Sequence, residues 1–299
     1  MKKYFSLASL LFVALIFVVG CKKETPAPTA EFTATVQDGV VYFTANVTND
    51  TKYEWDFGDG SYINTIKAPV HTYSQLSTPQ NINVSLTIKG PGGEVTVKQV
   101  VVVPAKTKMQ YLTSGKDATK SRRWKLSSTA LGFTIAYANA NFTTVGGPYP
   151  AGILSAVGLA KAYGDEFVFK GDGTMTVVSK GGGIFASMAY CMGTGTAMAV
   201  NYSGGGIAYT SAFTAPTGAT FTINENKNFV LPTAAGDVTY PGVMTLSFTN
   251  GGFLGIKDFT SECIIKKLTD TTMDAVIFYA HPSYGAKPML CLIATFDAI

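Results

Sequence analysis

Tyr53-Glu54-Trp55-Asp56-Phe57-Gly58-Asp59-Gly60, followed by His71-Thr72-Tyr73-Ser74, decides the fold class of this 299-residue chain. Alternate side chains of an extended strand face opposite ways, so Trp55 and Phe57 are expected to enter a core while Asp56 faces solvent. Asp59-Gly60 then supplies a tight turn that needs positive φ. His71 and Tyr73 begin the strand that returns across the fold. Carboxylates near a histidine can ligate a metal or do acid–base work, which makes Asp56, Asp59 and His71 candidates for either. Turn chemistry alone accounts for both aspartates, and that is the reading adopted.

Working outward, residues 32–36, 40–47, 82–88 and 95–103 alternate in the manner of strands. Asp38-Gly39 and Gly90-Pro91-Gly92-Gly93 punctuate them. Short strands at this spacing indicate a small sandwich. Over residues 31–104 the Trp-Asp-Phe-Gly-Asp-Gly and His-Thr-Tyr motifs closely resemble the PKD domain, an immunoglobulin-like β-sandwich named for the polycystic kidney disease protein. The resemblance implies a spacer or interaction module.

The chain opens Met1-Lys2-Lys3 and runs into Leu10-Leu11-Phe12-Val13-Ala14-Leu15-Ile16-Phe17-Val18-Val19. A positive start before an apolar segment too short for a permanent span predicts a signal peptide over residues 1–20. Val18-Val19-Gly20-Cys21 closes it and resembles the lipobox of bacterial lipoproteins. That resemblance implies a diacylglycerol thioether on Cys21, which becomes the mature N-terminus. The alternative is an ordinary secretory leader or membrane anchor with an incidental cysteine. One acyl chain holds a membrane only marginally, but a diacylated and N-acylated cysteine buries enough methylenes, at about 0.8 kcal/mol each, to stay anchored. Residues 21–30, with Pro26 and Pro28, read as a lipidated, extended tether. No second apolar run of about 20 residues follows.

With the leader removed, the remainder is long enough for two domains. Charged residues make up only 14 %, whereas Gly (31), Phe (19) and Tyr (15) are abundant, which favours all-β structure. A net charge of +4 gives no basic surface of the kind that grips nucleic acid. Beyond Cys21 the cysteines are Cys191, Cys263 and Cys291. An odd number allows one pair at most, and the wide spacing argues against a structural zinc site. All three sit in apolar stretches and are expected to be buried and unpaired.

Residues 105–120 read as a linker, with a short helical turn over residues 109–115. From Ser121-Arg122-Arg123-Trp124-Lys125-Leu126 the strands resume. Residues 165–177 form a hairpin turning at Asp172-Gly173, and strands follow at 219–223, 243–248, 263–268, 273–279 and 289–296. The economical solution for residues 121–299 is a larger β-sandwich or jelly roll. Residues 181–206 begin and end in Gly-Gly-Gly. They read either as two buried strands joined by flexible loops, or as a mobile ligand-facing loop in which Tyr190, Tyr202 and Tyr209 offer stacking faces.

Trp124-Lys125-Leu126, Asp165-Glu166-Phe167-Val168-Phe169 with its Gly171-Asp172-Gly173-Thr174 turn, Gly252-Phe253-Leu254-Gly255 and residues 264–268 resemble a C-terminal β-domain. Its carriers are the SusE-like outer-membrane lipoproteins of Bacteroidetes, which bind glycans beside nutrient importers. The resemblance implies a lipid-anchored protein at the outer membrane, on the cell surface or on its periplasmic face. It further implies a polysaccharide or oligosaccharide ligand and an importer complex as partner. Such domains often carry a Trp-Trp pair before the Asp-Glu-Phe strand, where this chain has Tyr149-Pro150-Ala151-Gly152-Ile153-Leu154.

With only two histidines, His71 and His281, no Ser-His-Asp arrangement, His-Glu-x-x-His motif or phosphate-cradling loop can be assembled. Nor does any spacing select a pair of carboxylates for glycoside hydrolysis. The chain is therefore expected to be no enzyme and to carry no cofactor or metal. Sugar rings pack on aromatic faces, which makes Trp124, Tyr149, Tyr190, Tyr202, Tyr209 and Tyr284 the candidate ligand-binding residues. The competing expectation is a structural or protein-binding envelope lipoprotein with no glycan ligand.

Overall fold

The computed structural model describes residues 24–37, 39–73, 78–115, 119–130 and 133–299. Cys21 and the leader lie outside the described residues. Among those described, no helix is long and apolar enough to cross a membrane. The chain divides into two compact units, residues 1–105 and 106–299.

In the first unit, β1 (Thr29–Gln37), β2 (Val40–Thr48) and β4 (Val70–Thr72) form one antiparallel sheet. The second sheet holds β3 (Lys52–Asp56), β5 (Gln80–Gly90) and β6 (Gly93–Val103). Phe32, Val41 and Phe43 of one sheet share a core with Trp55, Leu86 and Ile88 of the other. Trp55 is 0 % exposed, with ring centroids 5.1 Å from Phe32 and 5.2 Å from Phe43. Its indole N–H donates to the Ile66 carbonyl at 2.9 Å, so no buried donor is orphaned. Phe57 is buried and Asp56 exposed, as strand alternation requires. Gly58 turns the chain at φ +73°, and a Cβ there would overlap the Asn83 carbonyl. Only glycine fits such a close approach.

The second unit begins earlier than expected. Within the stretch 105–120, read from sequence as a linker with a short helical turn over 109–115, that turn is present as α1 (Lys108–Thr113), which closes a capping box between Thr107 and Gln110. Leu112 on this helix is fully buried in the second unit's main core, and its carbonyl accepts the Trp124 indole N–H at 2.9 Å. That burial holds the segment in place of a linker.

The strands that follow are β7 (Ser121–Leu126), β8 (Thr134–Tyr137), β9 (Thr144–Gly146), β10 (Glu166–Lys170) and β11 (Met175–Val178). After the short helix α2 (Ile153–Ala156) between β9 and β10, the later elements are β12 (Phe185–Ser187), α3 (Met188–Thr194), β13 (Met198–Tyr202) and β14 (Ile207–Thr210). The chain ends in β15 (Thr220–Thr233), β16 (Gly236–Thr249), β17 (Glu262–Leu268), β18 (Thr272–Ala280) and β19 (Pro288–Ala298). A ten-stranded sheet runs β11-β10-β7-β19-β18-β17-β16-β15, with β8 and β9 joined beside β19. Its two end strands meet: Thr174 bridges Thr220, and the Met175 and Phe221 amides donate to Ala219 and Gly173 at 2.9 Å. The all-β reading holds, and the second unit is built on one large antiparallel sheet, in which β15 to β19 pair in chain order and the end strands are bridged, with a small three-stranded sheet beside it.

Alternation along β18 explains why it reads as an unbroken apolar run. Met273, Ala275, Ile277 and Tyr279 enter the main core, while Val276 and Phe278 enter a second cluster with Phe229, Tyr240 and Cys291. A strand covered on both faces needs no polar side. Cys191, Cys263 and Cys291 are buried and free, as expected.

Residues 181–206 differ from both sequence readings. They hold β12, the seven-residue helix α3 and β13, and β12-β14-β13 form a small sheet of their own. The Ser187 hydroxyl caps α3 by accepting from the Tyr190 amide, and Gly195 ends it in the left-handed conformation. Cap and stop residues thus set a helix where apolar content alone suggested strands.

Candidate functional site

In the first unit the motif residues are used by the fold. Asp56 accepts from the Gly58 amide at 2.9 Å and Asp59 from the Ser61 amide at 3.1 Å. The other Asp59 oxygen lies 2.7 Å from His71 Nε2, and the His71 ring stacks on Phe57 at 4.1 Å. Tyr73 donates to the Phe57 carbonyl at 2.8 Å, pinning the returning strand to the turn. Burial works to raise the Asp59 carboxyl, but hydrogen bonds from Ser61 and His71 outweigh it and hold it below the ordinary carboxylate range. These contacts are those of a braced turn.

In the second unit the structure separates the six aromatic candidates. Trp124 is 0 % exposed and Tyr209 1 % exposed, so neither ring has a face for a ligand, and both expectations are corrected. Trp124 faces inward because it alternates with Arg123 and Lys125 along β7, on the face that packs into the main core against Leu112. Tyr209, on the middle strand β14 of the small sheet, packs into the main core, and its hydroxyl donates to Asp165 at 3.1 Å. Tyr149 and Tyr202 meet around a narrow apolar cavity of about 60 Å³ with Phe133, Ile153 and Ile207. Tyr284 stands on the surface, 45 % exposed, 5.8 Å from the His281 ring.

Tyr190 alone of the six faces a roomy cleft. The cleft has a volume of about 290 Å³ and is lined by Ile184, Tyr190, Thr210, Phe213, Thr214 and Lys257, among others. Three segments build it. Helix α3 presents Tyr190, the chain after β14 supplies Phe213 and Thr214, and the loop between β16 and β17 brings Lys257. Lys257 is fixed by its backbone, which pairs with β12: its amide donates to Phe185 at 2.9 Å and its carbonyl accepts from Ser187 at 3.0 Å.

Ser187 joins these segments. While it caps α3, its hydroxyl also donates to the buried carboxyl of Asp258, which accepts in addition from the Ala280 amide at 3.0 Å. Asp258 thereby ties the loop to the end of β18, and burial pushes its carboxyl above the ordinary range. On the other side, Thr210 accepts from the Ile184 amide at 2.9 Å and donates to the Ala212 carbonyl at 3.0 Å. Gly183 lies so close to β14 that a Cβ would overlap the Thr210 carbonyl oxygen. Beneath the small sheet, burial pushes the Asp165 carboxyl up to about 7, against hydrogen bonds from Tyr209 and Phe185. Both Asp165 and Asp258 are sealed from solvent, so they position the walls and do not reach into the cleft.

Lys257 lines this cleft and is absent from the candidates drawn from the sequence. Its ammonium donates to the Gly251 carbonyl at 2.8 Å and lies 5.8 Å from the Tyr190 ring and 4.9 Å from the Phe253 ring. Burial pulls its pKa down, with the Asp258 charge acting the other way. The available signal was a lysine inside the apolar run Gly252-Phe253-Leu254-Gly255-Ile256-Lys257. Chemically, the site combines flat apolar faces, hydroxyls and one cation, with no nucleophile–base pair. It is equipped to bind a polar ring compound.

Comparison with known proteins bears on the first unit. Residues 23–104 match the family model of the PKD domain. Among solved structures, the chain is similar to the PKD1 domain of Vibrio anguillarum Epp, at 25 % identity over 27 % of this chain and 99 % of that one, with a TM-score of 0.25. It is also similar to the PKD1 domain of the Vibrio cholerae metalloprotease PrtV, at 28 % identity over 27 % of this chain and 100 % of that one, with a TM-score of 0.24. No curated protein matches the chain.

Proposed function

We propose that this protein is a lipoprotein, held in the outer membrane by acylated Cys21 and facing the cell surface, that binds extracellular glycans without chemistry. Its role is accessory to polysaccharide capture and uptake beside an importer. The observation that carries this reading is the cleft of the second unit, where the rings of Tyr190 and Phe213 line the wall together with Thr214. Sugars stack their C–H faces on such rings and exchange hydrogen bonds with threonine hydroxyls. A PKD domain suggests an extracellular module that binds protein or carbohydrate, which agrees with that placement.

Affinity electrophoresis of the full chain in mild detergent, through gels holding neutral and acidic polysaccharides, tests the proposal. Retardation on at least one polysaccharide is expected, and Tyr190→Ala with Phe213→Ala is expected to abolish it while leaving the thermal midpoint of each unit within a few degrees. Retardation that survives the double substitution would move the site elsewhere. No retardation on any polysaccharide would favour a protein-binding envelope lipoprotein. That second reading has an observation of its own: in the first unit Tyr62 is 98 % exposed, and Ile63, Ile66 and Val70 are exposed beside it in sequence. Apolar side chains grouped in solvent mark protein-binding surfaces.

A further inference from the structure

We infer that the cleft takes an acidic sugar, one bearing a carboxylate or sulfate group, and that the Lys257 ammonium is the group that selects it. This rests on the glycan reading above and narrows it to a ligand class.

Several lysines of the second unit have no ion pair among the described residues, Lys125, Lys161 and Lys170 among them; Lys257 differs from these in lining the cleft, with its ammonium near the Tyr190 and Phe253 rings. Elsewhere in the second unit, Lys227 pairs with Glu262 at 2.7 Å, Lys106 with Asp270 at 2.7 Å and Lys180 with Glu166 at 3.1 Å. Among the described residues no carboxylate lies within ion-pair distance of Lys257; its one polar partner there is the Gly251 carbonyl. The adjacent carboxylate, Asp258, is turned into the core, where Ser187 and the Ala280 amide occupy it. Asp258 therefore faces the core while Lys257 lines the cleft. An ammonium held partly out of water without a counter-ion is destabilised, as the direction of its pKa shift reflects. A bound anion would remove that penalty.

The walls point the same way. The Tyr190 and Phe253 rings lie beside the ammonium, and Lys257 lines the cleft together with Tyr190. Thr214 also lines the cleft, and among the described residues no hydrogen bond occupies its hydroxyl. The volume of about 290 Å³ lies at the lower end of small-molecule sites, which run to about 1,000 Å³. That suits the end or a short stretch of a glycan chain and not a folded peptide. The neighbouring cavity at Tyr149 and Tyr202 has no charged side chain in its lining, so it offers no rival for the anion.

The test pairs polysaccharides that differ in charge. The full chain in detergent is run through gels containing polygalacturonate beside its methyl-esterified form, and carrageenan beside agarose. Retardation is expected on an acidic member and weakly or not at all on its neutral partner. Lys257→Met keeps the stem and removes the charge, and is expected to lower affinity by about tenfold or more. Lys257→Arg is expected to retain binding, which separates loss of charge from loss of fold. Equal retardation on charged and neutral members, or no effect of Lys257→Met, would overturn the acidic-sugar inference while leaving glycan binding in place. Absence of retardation on all four, and on the wider panel, would overturn both.

Discussion

The turn of the first unit and the surroundings of the small sheet in the second treat their ionisable groups in opposite ways. In the first, Asp56, Asp59 and His71 lie at a partly solvated turn, each engaged by a neighbour, and the hydrogen bonds favour the charged carboxylate. In the second, Asp165 and Asp258 are sealed under the small sheet, where burial favours the neutral acid, while Lys257 is left facing a cleft without a counter-ion. A motif rich in carboxylates therefore marks a structural device, and the proposed ligand contact falls to the less conspicuous loop between β16 and β17. Charge density in the sequence is a poor guide to site; what matters is whether the fold has already consumed the charge.

The contrast can be broken most directly through the cores. Each unit holds one of the chain's two tryptophans, Trp55 in the first and Trp124 in the second. Replacing Trp55 by Ala should destabilise the first unit by about 3–5 kcal/mol in urea denaturation, the usual cost of a large buried aromatic. A loss under about 1 kcal/mol would mean that the aromatic cluster with Phe32 and Phe43 is not the keystone of that sandwich.

The pH responses should have opposite signs. Asp165 has its folded pKa raised to about 7, so its contribution is fully present below its ordinary value near 4 and is lost as pH rises through about 7. Asp165→Asn should flatten that slope and stabilise the second unit at pH 8 by up to roughly 4 kcal/mol, at about 1.4 kcal/mol per pH unit. Thermal midpoints between pH 4 and 8, followed by Trp124 fluorescence in a Trp55→Phe background, would show it. Parallel curves for the parent protein and the Asp165→Asn variant would contradict the buried neutral acid.

Asp59 is the converse and the smaller effect. Its folded pKa is lowered, so its stabilisation is present above the ordinary carboxylate value and is lost as pH falls through the folded one. Asp59→Asn should cost the first unit less than about 1 kcal/mol at pH 7, since the pair is partly solvated. The difference should vanish below the folded pKa, read from Trp55 fluorescence in a Trp124→Phe background. A gap that widens on acidification would invert the assigned sign.

How much of this is legible in the sequence varies with the rigidity of the local rule. Strand alternation places Trp55 and Phe57 inside and Asp56 outside without help from the structure, because a two-residue period admits one solution once a tryptophan is buried. The Asp172-Gly173 hairpin is equally plain. Trp124 and Tyr209 mislead because an aromatic in a strand looks the same whether it fills a core or faces a ligand. Only what packs across each sheet face decides that, and both side chains enter the main core. Helix α3 is hidden because glycines and apolar residues in residues 181–206 match strand composition, while its signal lies in two end residues, Ser187 and Gly195. Lys257 escapes because its unpaired state is a property of the whole unit.

The central claim, that ligand capture belongs to the second unit's cleft, is tested most directly by hydrogen–deuterium exchange on the full chain with and without a saturating polysaccharide that retards it in gels. Protection is expected in residues 188–196, 210–216 and 251–257, with residues 39–73 unchanged. Protection confined to the first unit, around the exposed loop of Tyr62 and Ile66, would contradict it.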